Sequence, residues 1–336
     1  MTILIEETHP ELFHYTGIAG LMGIVKYQTL WATHAAFLND VTEIRAFQER
    51  LPDFLRPNVN AAIAELVRRV PANQALIDQH GGIDKAVVQT PIDITTGMFN
   101  ALLGTEDSQA FAEPFVMSFC TAAATGDISR HGLLSQWRGY GQEGGYSLVF
   151  DTSRLVQLLK EEGEKWRFDL FGGDVVYSSE TDEELREELG EDIDAIATSI
   201  SEWVGTGGSP ESLENVYPAL IRCACRYKHW GFHEEKEVRI IAIPPNKELF
   251  EEQKARGLVV TEKPRRHFTR AGTPVPCIHL FEGITHLPEK PLPITRVIVG
   301  PHRDKDKRRQ AVERLLSQYH LDIPVTVSDI PYVGHF

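Results

Sequence analysis

Short apolar runs typical of β-strands are scattered along this 336-residue chain, and longer helical patterns lie between them. Phe115 to Thr121 is one compact apolar run, and Glu237 to Ile243 is another, which Pro244-Pro245 ends. A doubly wound parallel sheet needs strands and helices in regular alternation, which this chain lacks. The pattern therefore predicts an α+β fold with a mixed, split or sandwich-like sheet and helical insertions.

Two long helical segments interrupt the strands. The first lies at about 50–110, where apolar residues recur at helical spacing with breaks near Pro71 and Gly81-Gly82. The second lies at about 180–230 and begins with a stretch dense in Asp and Glu, which is typical of a solvated helix face. Since no convincing linker divides the chain, we expect one domain over 1–336 with its core at about 11–332.

Local patterns also predict elements towards both ends of the chain. Asn39-Asp40 supplies a turn or an N-cap before a short helix from about Val41 to Gln48. Near the C-terminus, a strand over Thr295 to Val299, a helix from about Asp304 to Tyr319 and a strand over Val325 to Ser328 are predicted to form a β-α-β unit.

The charge balance limits the classes of partner. Lys plus Arg is 34 and Asp plus Glu is 48, so the formal net charge is −14. Because nucleic-acid binding requires cationic surface, we do not expect a general nucleic-acid binder. Two basic clusters, Lys263 to His267 and Lys305 to Arg309, are compatible with phosphate contacts, although solvated surface is the simpler interpretation.

Neither a membrane span nor a secretory signal is evident. No run reaches the length of about eighteen apolar residues that a span needs, and the N-terminus lacks a basic region followed by an apolar run. The four cysteines show neither disulfide-framework nor zinc-knuckle spacing, and no other metal-ligand pattern is convincing. We therefore expect a cytoplasmic protein with free thiols, no metal cofactor and no membrane partner.

The segment around Glu237 has the most informative charges. If Glu235 to Ile243 is extended, alternate side chains share a face, and Glu235, Glu237 and Arg239 lie together. Buried charges are costly unless they are paired. Two interpretations stay open: a solvated sheet face with a cross-strand ion pair, and a site where a carboxylate holds a sugar hydroxyl or stabilises a cationic transition state.

Three further side chains are candidates for ligand contacts. His14 lies at the end of the first predicted strand, just before a helix, where a ligand contact or a structural histidine both fit. Trp137 and Tyr140 flank a glycine-rich loop, either as a packed corner or as a stacking surface for a planar ring. Gly139 to Gly144 matches G-x-G-x-x-G, but it precedes a strand instead of following one, so a dinucleotide fingerprint is not expected.

Several short motifs form a distinctive set when they are taken together. In chain order they are Phe13-His14-Tyr15-Thr16, Thr29 to Thr33, Asn39 to Glu43, Phe115 to Cys120, Leu134 to Gly141, Gly145 to Asp151, Lys228-His229 with Phe232, Glu235 to Arg239, Ile298 to Pro301 and Ser328. This set resembles a bacterial family, domain of unknown function 2971. The resemblance spans about 11–332 and implies a grouping without an activity.

A weaker resemblance concerns the NAD-binding core of ADP-ribosyltransferases, which would also have a mixed or split sheet. It implies that His14, with Thr16 beside it, contacts the adenosine ribose of NAD, and that Ser118 supports the pocket. Trp137 or Tyr140 would stack on nicotinamide, and Arg239 would complete the binding residues. The catalytic residues implied are Glu237, on the nicotinamide ribose and the oxocarbenium-like state, and Glu235, which would orient the acceptor.

The function expected from this resemblance is NAD-dependent ADP-ribosyl transfer or NAD glycohydrolysis, with a possible defence or toxin-type role. The substrate would be NAD or another nucleotide, and the acceptor would be a protein or a nucleic acid. Two alternatives stay open, a non-catalytic nucleotide-sensing or protein-interaction module and a nuclease.

Overall fold

A computed structural model gives the fold of the chain. The residues that it describes are 2–3, 5–38, 42–70, 72–79, 81–104, 112–122, 126–140, 144–178, 183–206, 216–245, 247–258 and 260–331.

The described α-helices, numbered in chain order, are α1 (Ile5–Thr8), α2 (Ile18–Tyr27), α3 (Thr42–Arg69), α4 (Ala72–Gln79), α5 (Ile83–Leu103), α6 (Asp127–His131), α7 (Leu134–Tyr140), α8 (Thr152–Trp166), α9 (Glu183–Gly205), α10 (Val216–Arg226), α11 (Lys247–Ala255) and α12 (Lys305–Gln318). Two short 3-10 helices cover Ala35–Phe37 and Trp230–Glu235.

The described strands are β1 (Thr2–Ile3), β2 (Glu11–Thr16), β3 (Leu30–His34), β4 (Phe115–Cys120), β5 (Tyr146–Asp151), β6 (Asp169–Asp174), β7 (Val176–Ser178), β8 (Tyr227–His229), β9 (Glu237–Ile243), β10 (Arg265–Arg270), β11 (Thr273–Leu280), β12 (Ile294–Val299) and β13 (Val325–Val327).

The chain divides into two compact units. Unit 1 comprises 1–34, 115–175 and 232–336, and unit 2 comprises 35–114 and 176–231. Both segments predicted as helical insertions, about 50–110 and about 180–230, fall within unit 2. The interpretation of 1–336 as one domain stays a prediction.

Unit 1 is built on a sheet in which eleven described strands take part. Its main path is β1-β6-β9-β4-β2-β5-β12-β13, while β3 pairs with β4 and leads through β11 to β10. The pairs β1/β6 and β12/β13 are parallel, and the other neighbours are antiparallel. The predicted α+β class with a mixed sheet is confirmed, and so is the C-terminal β-α-β unit of β12, α12 and β13.

Side chains on the two faces of this sheet enter different apolar clusters, because successive residues of a strand point to opposite faces. The face that we call the large-core face includes Leu12, Phe119, Leu148 and Val238. The opposite face, which we call the small-core face, includes Phe13, Cys120, Val149 and Ile298. Strand register therefore assigns each candidate residue to one face.

Unit 2 is largely helical. Helix α3 packs against α5, α9 and α10, and the ring of Phe47 lies 6.4 Å from that of Phe99 and 5.7 Å from that of Tyr227. Glu43 and Lys228 form a buried ion pair, with 3.1 Å between Oε1 and Nζ. Strands β7 and β8 form a separate two-stranded parallel sheet.

Helix α3 differs from the prediction, since one helix of 28 residues replaces the short helix that was expected to end near Gln48. It continues through Pro52 and Pro57, each of which lacks the N–H of an intrahelical hydrogen bond. Burial of one face offsets that loss, since Phe47, Leu51, Leu55 and Val59 recur every four residues and are buried. The predicted cap at Asn39-Asp40 lies outside the described residues.

Among the described helices, none combines the length and the apolar character that crossing a bilayer would require.

Candidate functional site

Strands β2 and β3 both pair with the same edge of the central strand β4. Cys120 pairs with Phe13 of β2, and Val116 pairs with Thr33 of β3. Ser118 lies between these two positions and directs its backbone groups to the same edge, because alternate residues of a strand face the same side. Strands β2 and β3 thus diverge at Ser118, and we call this stretch the open edge of β4.

The His14 side chain fills the open edge. Its Nδ1 lies 3.2 Å from the carbonyl oxygen of Ser118, and its ring meets that of Phe119 edge-on at 6.0 Å. Because a carbonyl oxygen can only accept, Nδ1 is the nitrogen that bears the proton. Burial lowers the pKa of His14 from 6.5 to about 4, against a smaller opposing effect of the Ser118 bond. The imidazole is therefore neutral at pH 7, and its Nε2 is a hydrogen-bond acceptor.

Thr16 ends strand β2 and packs tightly against the next helix. A Cβ at Gly20 would lie 1.9 Å from Thr16 Oγ1, so a larger residue at this position of α2 would force the Thr16 hydroxyl to move. The contact brings helix α2 close to the strand that bears His14. Sequence reasoning did not single out Gly20, since a glycine inside a helical pattern gives no sign of the side chain that it accommodates.

Strand β9 provides a buried ion pair beside β4. Arg239 donates from Nε to Glu237 Oε1 at 2.8 Å and from Nη2 to Oε2 at 3.0 Å. Glu237 is 6% exposed and Arg239 is 3% exposed, so the solvated-face interpretation does not describe this pair. The two residues stand opposite Cys120 and Ser118 in the β4–β9 register. A two-bond guanidinium–carboxylate contact holds the Glu237 carboxylate in a fixed orientation.

The faces of the sheet separate the candidates. Phe13, Cys120 and Glu237 are aligned across β2, β4 and β9 and share the small-core face. His14 is opposite Leu148 in β5, on the large-core face. The structure thus brings His14, Ser118, Arg239 and Glu237 onto three neighbouring strands, but His14 and Glu237 belong to opposite faces.

Glu235 does not extend the row of charges on β9. The strand begins at Glu237, whereas Glu235 ends a 3-10 helix and is partly buried. Lys236 between them has a φ of 45°, a left-handed conformation that interrupts strand alternation. The prediction that Glu235, Glu237 and Arg239 share one strand face is therefore wrong for Glu235.

Trp137 lies in the small core. It is 1% exposed, its Nε1 donates to the carbonyl oxygen of His131 at 2.8 Å, and its ring meets that of Tyr15 edge-on at 4.8 Å. A Cβ at Gly132 or at Gly300 would lie 2.8 Å from the indole. This arrangement is the packed corner that the sequence left open as the alternative to a stacking surface.

Tyr140 is placed differently, since it ends helix α7 and is 42% exposed. The glycine-rich loop follows it directly. Residues 141–143 of that loop lie outside the described residues, and Gly144 precedes strand β5 as the sequence indicates. Among the described residues, no group of three or more His, Cys, Asp or Glu is arranged to hold a metal ion.

The comparisons with known proteins support one family. The family described as "Protein of unknown function (DUF2971)" matches residues 136–240, slightly under a third of the chain. The match includes Trp137, Tyr140, Glu235, Glu237 and Arg239, and the open edge of β4 lies before it. No curated protein and no solved structure gives a match. The chain is thus similar to this family over the segment that ends within β9.

Proposed function

We propose that this protein consumes NAD, either transferring ADP-ribose to an acceptor or hydrolysing the bond between nicotinamide and ribose. The observation that supports this proposal most is the neutral His14 imidazole at the open edge of β4, one strand away from the Glu237–Arg239 pair. Fold-level likeness alone does not assign an activity, so the argument depends on these side chains.

His14 is the proposed ribose contact. Its Nδ1–H is engaged by Ser118, which leaves Nε2 as an acceptor for a sugar hydroxyl. A neutral imidazole suits this role at pH 7, because a protonated ring would present two donors and no acceptor. Thr16 and Gly20 shape the adjacent surface by holding α2 against the strand.

Glu237 is the proposed catalytic carboxylate. When the glycosidic bond breaks, its electron pair leaves with nicotinamide and positive charge develops on the ribose ring. Water or an acceptor nucleophile then bonds to the anomeric carbon and loses a proton. A fixed carboxylate beside the ring stabilises that developing charge without reorganisation. Arg239 keeps the Glu237 carboxylate oriented, and Glu235 is the proposed residue that positions the acceptor.

The two faces of the sheet determine how a substrate would lie. His14 and Glu237 belong to opposite faces, and the His14 ring fills the edge between them, so a ligand that lies on one face contacts only one of the two residues. This placement argues against one NAD molecule held by both side chains, and the proposed bond cleavage belongs to the Glu237 face. The exposed ring of Tyr140 is the proposed stacking partner of nicotinamide, since Trp137 is enclosed in the small core.

A non-catalytic nucleotide-binding module is the second candidate. The observation that favours it is the double contact of Arg239 with both Glu237 oxygens, which occupies the carboxylate that catalysis would require. In this case His14 binds the nucleotide and Glu237 stabilises the sheet.

One experiment separates the two candidates. The full chain is incubated with NAD labelled in nicotinamide, and release of nicotinamide is followed with time. Glu237→Gln is expected to lower release by about a hundredfold or more while the NAD-induced rise in melting temperature persists. His14→Ala is expected to reduce that thermal shift. Glu164→Gln, at an exposed carboxylate of α8, is the matched control and is expected to behave as the wild type.

The outcomes have distinct meanings. A thermal shift with NAD but no nicotinamide release from the wild type would support the non-catalytic module. No shift and no release would contradict both candidates.

A further inference from the structure

Strand β10 has a regular alternation that the NAD proposal does not use. Arg266, Phe268 and Arg270 occupy alternate positions of Arg265–Arg270 and therefore share one face. The guanidinium of Arg270 lies 5.9 Å from the centre of the Phe268 ring. One strand face thus presents a cation, an aromatic ring and a second cation in a row.

Two neighbouring strands add rings to the same face. Trp31 of β3 stands opposite His279 of β11, and their rings are stacked 5.3 Å apart with an angle of 10°. The Trp31 ring also lies 5.7 Å from that of Phe268. Three strands thus contribute Trp31, Phe268, His279, Arg266 and Arg270, which we call the Trp31 surface.

The Trp31 surface is open to solvent. Trp31 is 37% exposed, although a ring of this size is usually covered, and Arg266 has 43% of its side chain exposed. Phe268 and His279 are partly exposed as well. The register places Cys277 on the same face, and this residue is fully buried among the larger side chains.

The charges of the Trp31 surface oppose the charge of the whole chain. The protein has a net charge of −14, whereas this face presents two arginines. Glu282 forms an ion pair with Arg266. Burial lowers the pKa of His279, and the positive charge of Arg266 adds to that effect, so the stacked imidazole is neutral at pH 7.

We propose that the Trp31 surface binds single-stranded nucleic acid. Unpaired bases stack on the Trp31, Phe268 and His279 rings, and the phosphates between them contact Arg266 and Arg270, with one phosphate replacing Glu282. In a duplex the faces of the bases are covered by their neighbours, so the rings would have nothing to stack on. An acidic peptide would satisfy the arginines but would leave the three rings without planar partners. This proposal does not depend on NAD turnover.

The test uses the full chain and a fluorescent single-stranded RNA of about twelve nucleotides, followed by polarisation. Arg266→Glu with Arg270→Glu is expected to weaken binding at least about tenfold and to reduce the salt dependence by about two phosphate contacts. Lys307→Glu with Arg314→Glu makes the same charge change on exposed positions of α12 and is expected to leave affinity near that of the wild type.

A second pair of variants tests stacking. Trp31→Ala is expected to weaken binding by about fivefold or more, and Trp31→Phe is expected to retain most of it. Circular dichroism and melting temperature establish that the variants are folded. Three results would overturn the proposal: wild-type affinity in the β10 double variant, equal affinity for the matching duplex, or competition by polyglutamate as strong as that by unlabelled RNA.

Discussion

Two buried ion pairs in unit 1 are built in different ways. Glu162 and Lys263 are 101 residues apart, have fully buried side chains and approach to 2.5 Å between Oε1 and Nζ. Glu237 and Arg239 are two residues apart on β9. The first pair joins helix α8 to the segment before β10, and the second joins two positions of the same strand.

The two charges of the first pair make further contacts in their surroundings. Glu162 Oε2 accepts from the backbone N–H of Phe281 at 2.8 Å, and Lys263 Nζ lies 4.4 Å from the centre of the Trp166 ring. Burial nevertheless raises the pKa of Glu162 and lowers that of Lys263, because desolvation outweighs the attraction between the charges. Burying this pair costs free energy, but the contact joins two segments that are distant in the sequence.

The contact between Glu237 and Arg239 lies within one strand, and the same kind of desolvation cost applies to it. This contact orients the Glu237 carboxylate on β9, whereas the Glu162–Lys263 contact joins segments that are distant in the sequence. Three measurements can break or sharpen this comparison.

The largest effect is expected for Lys263→Met. The change leaves Glu162 buried without its cation, and the free energy of unfolding should fall by about 3–5 kcal/mol. Urea denaturation at pH 7 measures it. The double variant Glu162→Leu with Lys263→Met should recover most of the loss, because no lone charge remains. A loss below about 1 kcal/mol in the single variant would contradict the linking role.

The second-largest effect expected is a loss of folding stability in acid, caused by protonation of His14. An unfolded histidine has a pKa of 6.5, and in the folded protein the pKa of His14 is about 4. As the pH falls, the unfolded chain therefore takes up a proton on His14 before the folded protein does. The stability of the folded state that depends on neutral His14 is complete above pH 6.5 and is lost as the pH falls towards 4. The loss should approach about 3 kcal/mol.

Unfolding free energies at pH 7 and pH 4.5 measure the His14 contribution. His14→Gln, which retains a donor but does not titrate, should lose less stability over this interval than the wild type. Equal losses in the two proteins would mean that His14 is not held neutral at the open edge of β4.

The smallest effect is expected for Glu237→Gln. The amide keeps one of the two acceptors that Arg239 uses but removes the counter-charge, so the free energy of unfolding should fall by about 2 kcal/mol, less than in Lys263→Met, where no hydrogen bond to the partner remains. Urea denaturation measures this loss, with Glu164→Gln as the control variant. A loss as large as that of Lys263→Met would remove the distinction between the two ion pairs.

Some strands and helices could be predicted because the pattern that defines each one lies within its own residues. Glu237 to Ile243 reads as a strand from its own residues, and the C-terminal β-α-β unit from its alternation. The continuation of helix α3 past Pro52 and Pro57 could not be predicted, because the lost hydrogen bonds are offset by packing against α5 and α9. Propensity describes a residue, whereas packing depends on partners far along the chain.

The site shows the same division. The alternation of Glu237 and Arg239 follows from strand geometry and could be predicted. Glu235 was placed on that strand because nothing in the sequence indicates that Lys236 takes a left-handed conformation. The open edge of β4 depends on two strands from separate parts of the chain pairing with the same edge, and the faces of His14 and Glu237 follow from that register.

The bond from His14 to Ser118 ties a carbonyl of the central strand β4 to a side chain. A carbonyl paired to a neighbouring strand can change partner only if a whole strand moves. The carbonyl of Ser118 is held by an imidazole, and rotation about the His14 side-chain bonds is enough to release it. The sheet can therefore adjust at this peptide group while the strands on either side keep their register.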